Sequence, residues 1–189
     1  MKPTTGRNES FVKVIEILEA VYTHPITLVE TGCIRNTTEE SKFGDGWSTL
    51  NWEYYCKLTN SVVYVVDINP CHLTQSKKIV PESSFVRYWE GDSVEFLTQF
   101  DKKIDLLFLD SYDYCGPEEN IRKCHLHSLS EVHAAWDKLN DTCFVLIDDV
   151  FNEQWDGKGK LTIPYLLDNG FMVEYFTDSQ VLLKRTHHE

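Results

Sequence analysis

Acidic side chains in this sequence stand where short apolar runs end. Glu30 and Thr31 lead into Gly32, Asp67 and Ile68 follow Val65-Val66, and Asp92 with Ser93 follows Glu90-Gly91. Asp110 closes Leu107-Phe108-Leu109, and the pair Asp148-Asp149 closes Val145-Leu146-Ile147. A carboxylate at such a strand end can accept both hydroxyl protons of a ribose, which is the chemistry Asp67 offers beside Ile68. Three carboxylates meeting in one cleft repel one another unless protons or a cation compensate, and hard oxygen donors suit Mg²⁺ or another divalent cation rather than zinc. Asp110, Asp148 and Asp149 are therefore candidate metal ligands.

Other groups could bind or move a proton. Gly44-Asp45-Gly46-Trp47-Ser48-Thr49 opens a helical stretch, which places Ser48 at a helix N-terminus suited to a carboxylate or phosphate. No GxGxxG follows the first apolar run, so the usual dinucleotide fingerprint is missing. His127 and Glu131 share a helical face at i, i+4, and a histidine has the intrinsic pKa for proton abstraction near neutrality. His127 is thus a candidate general base, against the alternative of a capping or surface residue. Cys115, Cys124, His125 and His127 match no common zinc spacing. The glycine-flexed stretch Trp155-Asp156-Gly157-Lys158-Gly159-Lys160 could close over an acceptor or stay a solvated loop, and Trp47 and Tyr112 could line the cleft or only pack.

The elements that must position these groups follow from apolar spacing. Residues 26–31, 62–67, 85–90, 104–110 and 143–148 are strand-length and β-rich, and helical patterns separate them. Strands alternating with helices imply a parallel sheet, covered by helices on both faces. Phe11, Val14, Ile15, Leu18 and Val21 predict an amphipathic helix capped by Ser10. Leu50, Tyr54 and Leu58 predict one buried helical face and Leu129, Val132, Trp136 and Leu139 another, while Ser93 can cap a short helix reaching Phe100. Residues 171–177 and 180–184 are joined by Asp178-Ser179, too short a connection for anything but a hairpin, so an antiparallel pair closes the sheet. The irregular stretches 35–46, 111–123 and 152–160 all follow strand ends, where the ligand of an open α/β sheet sits.

This ordered series of sites resembles the class I, seven-strand S-adenosylmethionine-dependent methyltransferases, and the resemblance covers residues 26–184, terminal hairpin included. It implies a single Rossmann-like α/β domain with a mostly parallel seven-strand sheet. It also implies that Glu30, Thr31 and Gly32 meet the methionine portion of S-adenosylmethionine, that Asp67 holds the ribose, and that Asp92 and Ser93 border adenine. Ser48, Ile68 and Asp110 complete the expected cofactor site. Asp110, Asp148 and Asp149 are similar to the Asp and Asp-Asp ligands of metal-dependent O-methyltransferases of the catechol and antibiotic-sugar types. That likeness implies Mg²⁺-assisted O-methylation of a small acceptor, with Asp110 at the reacting centre. The catechol type has a lysine base three residues after its first aspartate; Asp113 stands there in this chain, which is why His127 is the candidate base.

Charge and composition narrow the partners. Eighteen basic against thirty acidic residues give a net charge of -12, which repels a phosphate backbone and makes nucleic acid a poor partner. A 42% hydrophobic and 13% aromatic content supplies one core for one domain over residues 1–189, with residues 1–24 forming a helix packed on it. Six scattered cysteines, the absence of an apolar leader and the absence of a membrane-length apolar run predict a reduced, cytoplasmic protein without a membrane span. A monomer or a homodimer is expected. Two other functions fit the same residues: an NAD-dependent oxidoreductase, since Asp67 suits that ribose too, and a noncatalytic nucleotide-binding module.

Overall fold

Runs rich in β-branched and aromatic residues become strands, and the amphipathic stretches between them become the helices that cover those strands. In chain order the elements are α1 (Arg7–Val21), β1 (Thr27–Thr31), α2 (Glu39–Gly44), α3 (Ser48–Thr59), β2 (Val62–Asp67), α4 (Pro70–Ile79) and β3 (Val86–Glu90). They continue with α5 (Ser93–Gln99), β4 (Ile104–Leu109), α6 (Glu118–Ala135), β5 (Leu139–Asp148), β6 (Val150–Phe151), β7 (Asp156–Gly157), α7 (Gly159–Asp168), β8 (Phe171–Phe176) and β9 (Gln180–Arg185). These come from a computed structural model, which describes residues 7–44 and 46–186. Asp45 of the glycine turn and the first six residues lie outside the described residues.

Among the described residues, seven strands form one sheet in the order β3-β2-β1-β4-β5-β9-β8. The pairs β3/β2, β2/β1, β1/β4 and β4/β5 are parallel, and β5/β9 and β9/β8 are antiparallel. The expected mostly parallel sheet with a C-terminal hairpin is therefore present. Strand periodicity of two divides its side chains between two cores. Leu28, Leu106 and Phe108 pack with Phe11, Val14 and Leu18 of α1 and Trp52 and Tyr55 of α3. Val29, Leu107 and Leu109 pack on the other face with Phe96 and Leu97 of α5, Val132 of α6 and Ile163 of α7. Strand order reverses between β1 and β4, so a crevice opens outside their carboxyl ends.

Local expectations were corrected in four places. The first helix already runs at Arg7, so Ser10 lies inside it and is buried rather than capping. In α3 the buried face carries Trp52, Tyr55 and Cys56, while Tyr54 and Leu58 are 55% and 60% exposed. The Trp52 ring decides that orientation by meeting Phe11 and Phe108 edge-on, at 5.2 and 5.7 Å between centroids. Leu139 belongs to β5 rather than to the preceding helix, which ends at Ala135 and passes through a turn of 3₁₀ helix. The stretch 35–46 holds α2, and 152–160 holds β7, which pairs back on β6, with α7 beginning at Gly159.

Candidate active site

Backbone hydrogen bonds fasten the ends of three strands together. The Gly32 N–H donates to Val66 O at 2.7 Å, and the Asp110 N–H donates to Thr31 O at 2.9 Å. Gly32 turns away from β1 with φ +86°, and a side-chain carbon there would fall 2.4 Å from Asp110 O. Only glycine lets β1 and the β4 loop approach this closely. Around this junction lies a cavity of about 370 Å³, lined among others by Gly32, Cys33, Asp67, Ile68, Asp110 and Tyr112. That size falls in the usual range for small-molecule sites. A second cavity of about 460 Å³ lies against β3 near Tyr64, Trp89 and Phe100, and none of the sequence-predicted site residues lines it.

Within the first cavity Asp67 is held ready for a ligand. Its Oδ1 accepts the Asn69 N–H at 2.8 Å, its Oδ2 accepts from the Cys33 thiol at 3.4 Å, and His72 Nδ1 lies 3.4 Å from the same oxygen. Beside it Ile68 is 70% exposed, an apolar surface at the wall of a polar cavity. Arg35 and Asp113, from the loops after β1 and β4, form an ion pair at 2.6 Å beside the same cavity. Asp113, which stands where the catechol type has its lysine, is thus tied to Arg35 at the cavity rim.

Glu30, Thr31 and Ser48 lie beneath this surface, buried. The Ser48 hydroxyl donates to Glu30 Oε1, while Glu30 Oε2 has no hydrogen-bond partner. Burial raises the Glu30 carboxyl to about 8 against the pull of the Ser48 hydroxyl, and the charges of Asp110 and Asp67 add to the rise. A buried acid with one orphaned oxygen beside the cavity suits a cationic group such as the ammonium of a methionine moiety. Gly32, Asp67 and Ile68 thus line one cavity, with the Glu30 carboxyl buried beneath it.

Asp92 and Ser93 stand at the N-terminus of α5, outside the residues that line the cavity. Asp92 caps α5 by accepting the Glu95 N–H at 3.0 Å, and Ser93 Oγ lies 3.0 Å from His127 Nε2. His127 also lies 3.4 Å from Glu131 Oε1 and stacks at a tilt on Tyr112. Burial would lower the pKa of His127, but Glu131 and Asp92 reverse this and raise it. Glu131 in turn accepts the Ser111 hydroxyl at 2.7 Å, which links α6 to the loop that follows Asp110.

Asp110, Asp148 and Asp149 do converge: one oxygen from each lies within 4.8 Å of the others. Among them lies a group the sequence reading did not place there, the ammonium of Lys158. Its Nζ donates to Asp110 Oδ1 at 2.5 Å and to Asp149 Oδ2 at 3.1 Å, and the side chain is 2% exposed. Burial alone would lower the pKa of Lys158, yet Asp110, Asp149 and Asp148 outweigh it and raise the pKa above the ordinary lysine range. The signal available in the sequence was a lysine between two glycines, nine residues after Asp149 of the acidic pair.

Residues 42–150 match the family described as "Methyltransferase domain". The chain belongs to that family. This methyltransferase has the class I, S-adenosylmethionine-dependent fold, and solved structures share it at low identity. The SAH-bound Podospora anserina methyltransferase PaMTH1 is 15% identical, with 97% of this chain and 80% of that one covered at a TM-score of 0.66. The O-methyltransferase NovP is 14% identical, with 96% and 80% covered at a TM-score of 0.65. The MycE methyltransferase of the mycinamycin pathway, solved with Mg, SAH and mycinamycin VI, is 12% identical, with 92% and 49% covered at a TM-score of 0.62. No curated protein sequence matches this methyltransferase. Among its described residues no helix is long and apolar enough to cross a membrane.

Proposed function

We propose that this methyltransferase transfers the methyl group of S-adenosylmethionine to an oxygen nucleophile on a small acceptor. The observation that carries the reading is the double position of Asp110, which lines the cavity of Gly32 and Asp67 and also belongs to the acidic cluster with Asp148 and Asp149. An acceptor resting on that cluster has its hydroxyl at the mouth of the cofactor cavity, and holding the two reactants in line supplies most of the rate. Asp67 would hold the ribose hydroxyls, Ile68 would cover the nucleoside, and Glu30 would face the methionine ammonium across Gly32. Asp110 and Asp149 would orient the acceptor hydroxyl by accepting its hydrogen bond, and one of these carboxylates would take its proton as the oxygen–methyl bond forms and the sulfur–methyl bond breaks to leave S-adenosylhomocysteine. His127, a candidate base in the sequence, makes its short contact with Ser93, so we assign it the positioning of Ser93 and the start of α5 beside adenine.

The three strand-end aspartates led to the expectation of a divalent metal, and MycE, which shares the fold, was solved with Mg. The donor set of three hard oxygens suits such an ion. Lys158 does not: its ammonium lies between Asp110 and Asp149, where a dication would have to bind. With Lys158 in place the site does not fit Mg²⁺.

Isothermal titration with S-adenosylhomocysteine, followed by methyl transfer to a panel of hydroxylated and aminated small molecules, tests the reading. Saturable micromolar binding and methylation of a hydroxyl compound are expected. Absence of binding at millimolar ligand refutes the cofactor assignment, and methylation confined to amines refutes the oxygen acceptor.

A further inference from the structure

The acidic trio and Lys158 are separated by ten residues of sequence at most on the β5 side, and the fold goes to some length to bring them together. Asp149 leaves β5 with φ +49°, turning the chain into the β6/β7 hairpin. The hairpin returns at Gly157, whose φ is +96° and where a side-chain carbon would fall 1.8 Å from Asp149 O. Lys158 follows directly, its N–H donating to that same Asp149 O at 3.1 Å. Gly159 then starts α7 with a would-be side-chain carbon 2.7 Å from Ile163 and 3.1 Å from Val150. The backbone of Lys158 is therefore pinned on both sides, and its side chain is buried against Asp110 and Asp149, which are 25% and 21% exposed.

We propose that Lys158 is a built-in substitute for a divalent cation, a positioning residue that holds Asp110 and Asp149 beside the acceptor and excludes metal from the cluster. A metal ion joining three carboxylates compensates their repulsion and fixes their directions; the ammonium does the same with hydrogen bonds to two of them. Entry of a dication would set it against a like charge bonded to two of its ligands, in a partly buried site where repulsion is screened less than in water. One positive charge among three carboxylates also leaves the cluster net acidic, so the site keeps a hydrogen-bond-accepting character toward the acceptor hydroxyl. Methyl transfer by this chain then needs no added metal. The inference rests on the cluster geometry and on the methyltransferase reading of the cavity, not on which acceptor is used.

The test uses Mn²⁺ as probe, read by the loss of its free electron paramagnetic resonance signal, with S-adenosylhomocysteine affinity measured in parallel. The unaltered protein is expected to bind no Mn²⁺ below 1 mM, roughly the range of weak carboxylate sites, and to bind S-adenosylhomocysteine equally with and without EDTA. Lys158→Ala and Lys158→Gln vacate the ammonium position, and at least one of them is expected to gain a Mn²⁺ site at least about tenfold tighter, lost again when Asp149→Asn is added. Tight Mn²⁺ binding by the unaltered protein overturns the proposal, and this arm stands even if both variants fail to fold. Folded variants that gain no Mn²⁺ overturn it as well. Loss of S-adenosylhomocysteine binding by the unaltered protein would instead strike the cofactor reading and leave the Mn²⁺ result to be judged by itself.

Discussion

Gly32 and Asp110 come so close that a side-chain carbon on the first would lie 2.4 Å from the carbonyl oxygen of the second. That contact joins the loop expected to meet the cofactor with the loop that carries the acidic cluster. Gly32→Ala must move one of the two, and it also places a side chain at φ +86°, at a backbone cost of about 1–2 kcal/mol. We expect a loss of at least about 2 kcal/mol in denaturant unfolding and a cavity that no longer binds S-adenosylhomocysteine well. Unchanged stability together with unchanged affinity would show that the junction yields.

Glu30 makes stability depend on pH in a defined direction. Its carboxyl is raised from an ordinary 4.5 to about 8, with burial as the first cause. The folded state holds this proton more tightly than the unfolded chain, so the contribution is complete below pH 4.5, declines as pH rises, and is gone above about 8. The size is on the order of a few kcal/mol. Glu30→Gln, which keeps the shape and cannot ionise, is expected to flatten the unfolding free energy across that window. Superimposable pH profiles for the two proteins would count against it.

The same proton should be released when a cationic ligand arrives. A methionine ammonium beside Glu30 favours the carboxylate, so S-adenosylhomocysteine binding near pH 7 is expected to release up to about one proton. Titration calorimetry in buffers of different ionisation enthalpy reads this directly. Proton uptake, or no exchange, would place the ammonium elsewhere.

Asp67 offers a cleaner separation of binding from folding. Asp67→Asn keeps an oxygen for the Asn69 N–H but weakens the acceptor available to ribose hydroxyls. We expect S-adenosylhomocysteine affinity to fall about 10- to 100-fold, the scale of one hydrogen bond to a charged group, with little change in melting temperature. An unaltered dissociation constant would remove Asp67 from the cofactor site.

His127 separates a positioning role from a proton-transfer role. Its contact with Ser93 predicts that His127→Gln weakens S-adenosylhomocysteine binding several-fold and leaves kcat within about threefold. A fall in kcat of about 100-fold or more at constant affinity would return it to the position of general base.

Residue spacing alone determined the strands that carry Glu30, Asp67 and Asp148 and the one that ends just before Asp110, because strand-length apolar runs ending in a carboxylate are a local signal. It also determined the hairpin around Asp178-Ser179, because chain length permits nothing else. The buried face of α3 was not legible: Tyr54 and Leu58 are as apolar as Trp52 and Tyr55, and the rings of Phe11 and Phe108, distant in sequence, decide which face packs. Lys158 was illegible for the same reason. Its charge predicts solvent, and only the left-handed turn at Asp149, the glycine at 157 and the return of the β6/β7 hairpin carry it into the acidic cluster. Local pattern fixes which elements form, whereas the pairing of a buried charge depends on contacts between segments that meet only after the chain has folded.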